Sequence, residues 1–301
     1  MPGMHPTRKF AREQAGKALD HVAFEIGRGA RSRRPDTVHD LRIAIRRFTQ
    51  TLRAMEPCFS RPKTRKIRRR LKQVMAAAGQ VRDCDVALKL LSKSKREEAD
   101  ALKSAFQSRR KDHERALAAL LKGWIERKAS IKWRARLEDA LERAPNAGAT
   151  PVENSARRVL RPMTQEFLAW GGKLAKAKSS PDQLHGFRMA VKKFRYTLDL
   201  FAPLYGAALA EWKEKVKRVQ VLLGDMHDCR VVRGMVSDYK GVNKVDAWLK
   251  RRQRKGAEAF QQYWVQEFGD PGAARSWMDC LQGPARKKPA ASVRGKSTAV
   301  A

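Results

Sequence analysis

Residues 35–57 read PDTVHDLRIAIRRFTQTLRAMEP, and residues 181–203 read PDQLHGFRMAVKKFRYTLDLFAP. At a constant offset of 146 residues (35 against 181), Pro35, Asp36, His39, Arg42, Ala44, Phe48, Thr51, Leu52 and Pro57 recur as Pro181, Asp182, His185, Arg188, Ala190, Phe194, Thr197, Leu198 and Pro203. The pair Arg46-Arg47 returns as Lys192-Lys193, so charge persists where the residue type does not. At roughly 100° per residue, His39, Arg42, Arg46 and Arg53 project to one side of a helix, with Gln50 at the edge of that side. Leu41, Ile45, Phe48, Leu52 and Met55 project to the other. The second segment divides the same way. His185, Arg188, Lys192 and Arg195 stand opposite Phe187, Val191, Phe194, Leu198 and Phe201. Each segment therefore reads as a helix whose cationic face and apolar stripe repeat together.

Working outward, Lys72, Val74, Gly79, Asp83, Cys84 and Val86 recur as Lys217, Val219, Gly224, Asp228, Cys229 and Val231 at an offset of 145 (72 against 217). Two blocks in one order at nearly one offset point to an internal duplication. Between the copies, Ala144–Pro151 (APNAGATP) has the composition of a linker. Elsewhere Gly and Pro fall mainly at element boundaries, and the alternation expected of strands is absent. Each half is expected to hold a helix before the His motif, the motif helix, and a basic helix ending near Gly79 or Gly224. A helix opening at Asp83 or Asp228, read as N-caps or first-turn residues, follows, and then one or two longer charged helices. Short connections make such neighbours antiparallel. The expected fold is all-α, two related helical bundles: residues 8–144, a linker at 145–151, and residues 152–282. Residues 1–7 are expected to be disordered, and residues 283–301, rich in Lys, Arg, Ala and Ser, to form a basic disordered tail.

Charge narrows the function. The chain of 301 residues carries 66 Lys and Arg against 31 Asp and Glu, a net +35, and its pI is near 10.8. Self-repulsion at this level works against compactness, so a partner dense in negative charge is implied: nucleic acid, inorganic polyphosphate or an anionic membrane surface. Cys58, Cys84, Cys229 and Cys280 are widely spaced with no C-x-x-C pair, which reads as reduced thiols in a cytoplasmic protein. Met1–Phe10 lacks the apolar core of a signal peptide, and no apolar run reaches the roughly 20 residues of a membrane span.

The basic helix after the His motif repeats the design. Arg61, Arg65, Arg68 and Lys72 share a face opposite Ile67, Leu71, Val74 and Ala78. In the second copy Lys213 and Lys217 remain, but Ala210 stands opposite Arg65, so the first half is expected to grip an anion more strongly. Almost no acidic residue interrupts these faces, which leaves i,i+4 ion pairs unable to explain them. Arg82 and His227 occupy equivalent positions before Asp83 and Asp228. Beside arginines, His39 and His185 tend to be neutral, and a bound phosphate would favour their protonation. A metal set drawn from His227, Asp228, Cys229, His39 and His185 is disfavoured by the surrounding Arg and Lys. No phosphate-binding Gly loop or paired carboxylates are present, so no cofactor and no catalytic residues are expected.

These motifs resemble the CHAD domain, the conserved histidine α-helical domain: VHDLRIAIRRFTQTL and LHGFRMAVKKFRYTLDLF, followed by AAGQVRDCDV and LLGDMHDCRV. The resemblance spans roughly residues 8–280. It implies two pseudo-symmetric four-helix bundles around a basic groove or pore, binding of inorganic polyphosphate and association with polyphosphate granules. Carried over by position, the basic residues fall on His39, Arg42, Arg46, Arg47, His185, Arg188, Lys192, Lys193 and Arg195, and on Arg68, Lys72, Lys213 and Lys217 of the following helices. Arg65, Arg82 and His227 join them from the charge pattern. Two rival readings remain at this stage. A nucleic-acid binder would add stacking aromatics to the basic surface, yet Phe48, Phe194 and Phe201 fall on packing sides and only Tyr196 projects to the exposed side. A polyphosphate phosphohydrolase would need carboxylates to hold a metal.

Overall fold

The computed structural model describes residues 6–32, 34–143, 151–176 and 180–281. Among them lie ten α-helices: α1 (Pro6–Arg31), α2 (Pro35–Ala54), α3 (Arg61–Ser94), α4 (Glu98–Glu126), α5 (Ala129–Glu142), α6 (Val152–Lys176), α7 (Pro181–Tyr205), α8 (Ala210–Val236), α9 (Asn243–Phe268) and α10 (Pro271–Cys280). The all-α reading stands. Each half has four long helices and a shorter fifth, α5 or α10. Pro6 and Thr7 belong to α1, with Thr7 buried, so the expected N-terminal disorder does not reach them. Most of the expected linker and the basic tail lie outside the described residues.

The two motif helices begin as their sequences dictate. Pro35 and Pro181 take the first helical turn, where a missing N–H costs nothing, and Asp36 and Asp182 complement the positive end of the helix dipole. At α7 a capping box closes the end: Gln183 N–H donates to Ser180 Oγ at 3.2 Å, and Ser180 N–H donates to Gln183 Oε1 at 2.8 Å. The apolar stripes point inward as the periodicity predicts. Leu41, Ile45, Phe48 and Leu52 are buried on α2, as are Phe187, Val191, Phe194, Leu198 and Phe201 on α7.

The structure corrects the reading of the following helices. Gly79 and Gly224 end nothing: α3 runs unbroken from Arg61 to Ser94 and α8 from Ala210 to Val236. Asp83 and Asp228 are therefore mid-helix residues, not N-caps. A helical Gly costs about 1 kcal/mol relative to Ala, which burial of Ile67, Leu71, Val81 and Leu91 along α3 outweighs.

Sequential helices pack on one another, and the halves also meet directly through α2 against α7 and α3 against α8. The main core is continuous across both halves, from Leu19, Phe48 and Leu121 to Phe167, Phe194 and Trp277. A ring stack of Phe10 on Phe201, centroids 6.0 Å apart, ties α1 to α7. A second, smaller core gathers Val86, Leu91, Phe106, Val232 and Leu249, where the far ends of α3 and α8 meet α4 and α9.

Candidate anion-binding site

Helices α2, α3 and α7 enclose a concavity of about 640 Å³. Helix α2 contributes Arg46 and Arg53, α3 contributes Arg65, Arg68, Arg69 and Lys72, and α7 contributes Lys192 and Lys193. Ile45, Leu71, Met75 and Met189 line its apolar part, and no carboxylate lines it at all. An adjoining pocket of about 680 Å³ carries the basic surface toward the start of α3, through Arg61 and Lys66, and shares Arg65, Arg68 and Arg69 with the first. Glu56 lies there and reaches Arg61 at 3.1 Å and Arg68 at 3.9 Å.

At the inner side of the concavity the halves bring buried and half-buried cations together. Arg42, Arg46 and Arg82 come from one half and Arg188 and Lys192 from the other, near enough to repel one another. Burial and this repulsion hold Arg42 down to about 10 and Lys192 down to about 6. Lys192 is only 8% exposed. Two carboxylates face the group, Asp83 and Asp228, the latter 3.9 Å from Arg188. Burial pushes both carboxyls up, although Arg42 and Arg188 beside them pull the other way. The repeated aspartates thus act as counter-charges, and they are too few for the cations around them. Buried charge that lacks a partner is costly, so an anion entering the concavity would relieve a strain built into the fold.

Gly79 has a specific part in this arrangement. A Cβ there would stand 3.0 Å from Arg42 Nη1, and the guanidinium crosses the helix at that point to donate to the Met75 carbonyl at 3.2 Å. Gly224 has no such neighbour.

The remaining candidate residues are distributed unevenly. His39 is half-buried, its pKa lowered by burial and then by Arg82. His185 and His227 pair with each other, Nδ1 to Nδ1 at 3.4 Å. Burial, with Arg188 and His185 next to it, holds His227 down to about 3. Three of these remaining cations already hold carboxylates: Arg47 and Lys213 reach Asp199 at 3.8 and 3.1 Å, and Lys217 reaches Glu214 at 2.9 Å. Arg195 lies over the Tyr196 ring, 4.8 Å from its centroid, and does not line the concavity. Tyr196 itself is buried, contrary to its expected exposure, because α2 covers that side of α7. Among the described residues no three His, Cys, Asp or Glu side chains come together as a metal site. Arg69 was missed by the sequence reading, although its i,i+3 and i,i+4 spacing from Lys72 and Arg65 placed it on the same face. Arg53 was on the projected face but was not carried into the site.

Known proteins can now be compared with this geometry. The family model described as the CHAD domain matches residues 13–237. The chain belongs to the CHAD domain family. Among solved structures, the CHAD domain from the plant Ricinus communis is similar with a TM-score of 0.67 at 18% identity, covering 94% of this chain and 93% of that one. PptA from Streptomyces chartreusis is similar with a TM-score of 0.56 at 14% identity, over 86% of this chain and 99% of that one. At such identities both matches speak for the fold alone. No curated protein matches the chain in sequence. Among the described residues of this CHAD chain, no helix is long and apolar enough to cross a membrane.

Proposed function

We propose that this chain binds inorganic polyphosphate without catalysing a reaction on it, and that binding places it on polyphosphate granules in the cytoplasm. The observation that carries the reading is the concavity between α2, α3 and α7: eight cationic side chains from both halves and no carboxylate in its lining. Polyphosphate presents repeated charge and no bases, so its binder needs charge density rather than a hydrogen-bond code. Arginine supplies bidentate forks for phosphate oxygens and lysine supplies mobile point charges. The apolar part of the wall lowers the local dielectric and strengthens each contact. Family resemblance supports polyphosphate as the anion, and the residues support the site. Asp83 and Asp228, beside the buried cations, are countered by Arg42 and Arg188, and Glu56 by Arg61 and Arg68, which favours binding over metal-assisted hydrolysis.

A competition assay tests the reading. Labelled polyphosphate bound to the full chain is challenged with DNA, RNA and short phosphates across a salt series. Unlabelled polyphosphate is expected to compete best. Equal or tighter competition by nucleic acid would make the chain a general nucleic-acid binder, and orthophosphate release with added magnesium or manganese would make it an enzyme.

A further inference from the structure

Helix α3 turns a second stripe away from the concavity, and this stripe helps to build a separate pocket of about 260 Å³ between α3, α4 and α5. From α3 come Arg70, Gln73 and Val74, from α4 come Leu120 and Trp124, and from its C-cap comes Arg127. From α5 come Lys132, Trp133 and Arg136. Along each helix these residues fall three or four apart or adjacent to one another, so one face of each of three helices forms the wall. Trp124 and Trp133 meet edge to face with centroids 4.2 Å apart, and with Leu120 and Val74 they make an apolar floor.

Four cations rim that floor, and no carboxylate does. Arg127 folds back over Gly123, where a Cβ would stand 2.8 Å from its Nη2. The repeat sharpens the point. At the 145-residue offset Arg70 corresponds to Lys215, and Lys215 is held by Glu211 at 2.8 Å and Glu267 at 3.2 Å. Arg70 stays open where its second-half counterpart Lys215 is neutralised.

Unlike the mainly aliphatic and thioether wall of the concavity, this floor is built on two tryptophan rings, which offer stacking faces that a linear phosphate chain does not use. The pocket suits an anion with a flat aromatic body, because Gln73 offers an amide that both donates and accepts, the groups needed at the edge of a base. Pockets that enclose whole drug-sized ligands start at roughly 300 Å³. This one matches a base, leaving ribose and phosphates to the cationic rim. We propose that the pocket between α3, α4 and α5 binds a nucleoside triphosphate, with the base toward Trp124 and Trp133 and the phosphates on Arg70, Arg127, Lys132 and Arg136. The site does not depend on the polyphosphate reading, since α3 itself separates the two.

Calorimetric titration of the full chain with ATP, adenosine and tripolyphosphate tests this. ATP is expected to bind more tightly than either fragment. The Arg70→Glu/Lys132→Glu variant is expected to weaken ATP binding at least about tenfold, while Arg65→Ala/Arg69→Ala, in the concavity, leaves it unchanged. If charge reversal lowers the melting temperature, Arg127→Gln/Arg136→Gln on the same rim is used, with the same expectation. Absence of ATP binding to the wild type, tripolyphosphate binding as tight as ATP in the Arg65→Ala/Arg69→Ala variant, or loss of ATP binding only in that concavity variant would each overturn the proposal. None of these outcomes bears on whether polyphosphate binds in the concavity, which that second variant reports separately.

Discussion

Gln50 Nε2 donates to Thr197 Oγ1 at 2.9 Å, a buried hydrogen bond that joins α2 of one half to α7 of the other. Thr197 Oγ1 in turn donates to the Lys193 carbonyl at 2.8 Å. Gln50 lines the concavity, so the bond ties α2 to α7 at its wall. Thr197→Val keeps the shape but leaves the Gln50 amide unpaired, and is expected to cost about 1–3 kcal/mol in urea denaturation. The double variant Gln50→Leu/Thr197→Val is expected to recover part of that loss, since it removes both polar groups.

The two repeated glycines are expected to behave differently. Gly224→Ala meets nothing within 4 Å in a helix interior, so it is expected to stabilise the fold by about 1 kcal/mol through backbone entropy. Gly79→Ala gains the same helix propensity but displaces the Arg42 guanidinium. Its net stabilisation is expected to be smaller and its affinity for polyphosphate lower. Chemical denaturation and a binding isotherm on both variants check the contrast.

Lys192 makes both stability and binding depend on pH. It faces Arg188 on its own helix, Arg42 and Arg46 on α2, and Asp228 on α8, and burial among them lowers it to about 6. Between pH 6 and the ordinary lysine range the unfolded chain holds a proton that the folded chain has released. Stability of the free protein is therefore expected to rise with pH across that window, the penalty being complete below pH 6. A bound polyanion favours the protonated amine, so binding takes up a proton and affinity is expected to fall as pH rises above about 6. The neutral histidines His39, His185 and His227 add to that fall in the same direction at its acidic end. Calorimetry in buffers of different ionisation heat measures the uptake, and Lys192→Met is expected to reduce it.

The helices and their inward stripes were legible in the sequence because each stripe obeys the 3.6-residue period with its own apolar residues. Phe48 and Phe194 illustrate this, both fully buried on the side the projection assigned. What one helix cannot encode is a second covered side. Gln50, Lys192 and Tyr196 project toward solvent on an isolated helix, yet all three are buried because α2 and α7 pack against each other. The neutralisation of Arg47 and Lys213 by Asp199 was hidden for the same reason, since it depends on distances between helices. Local signals also misled at Gly79 and Asp83. A glycine followed by an aspartate has the pattern of a helix end, and tertiary burial along α3 overrode it.

The central claim is that position in the fold, not net charge, creates the polyphosphate site. Two triple variants lose the same charge: Arg65→Ala/Arg69→Ala/Lys72→Ala removes open cations of the concavity, and Arg47→Ala/Lys213→Ala/Lys217→Ala removes cations already held by Asp199 and Glu214. Polyphosphate affinity of each is measured against wild type over a salt series. The first variant is expected to bind on the order of a hundredfold more weakly, with a shallower salt dependence, while the second changes by less than about threefold. Equal losses in the two variants would contradict the account, because bulk charge alone would then explain the binding.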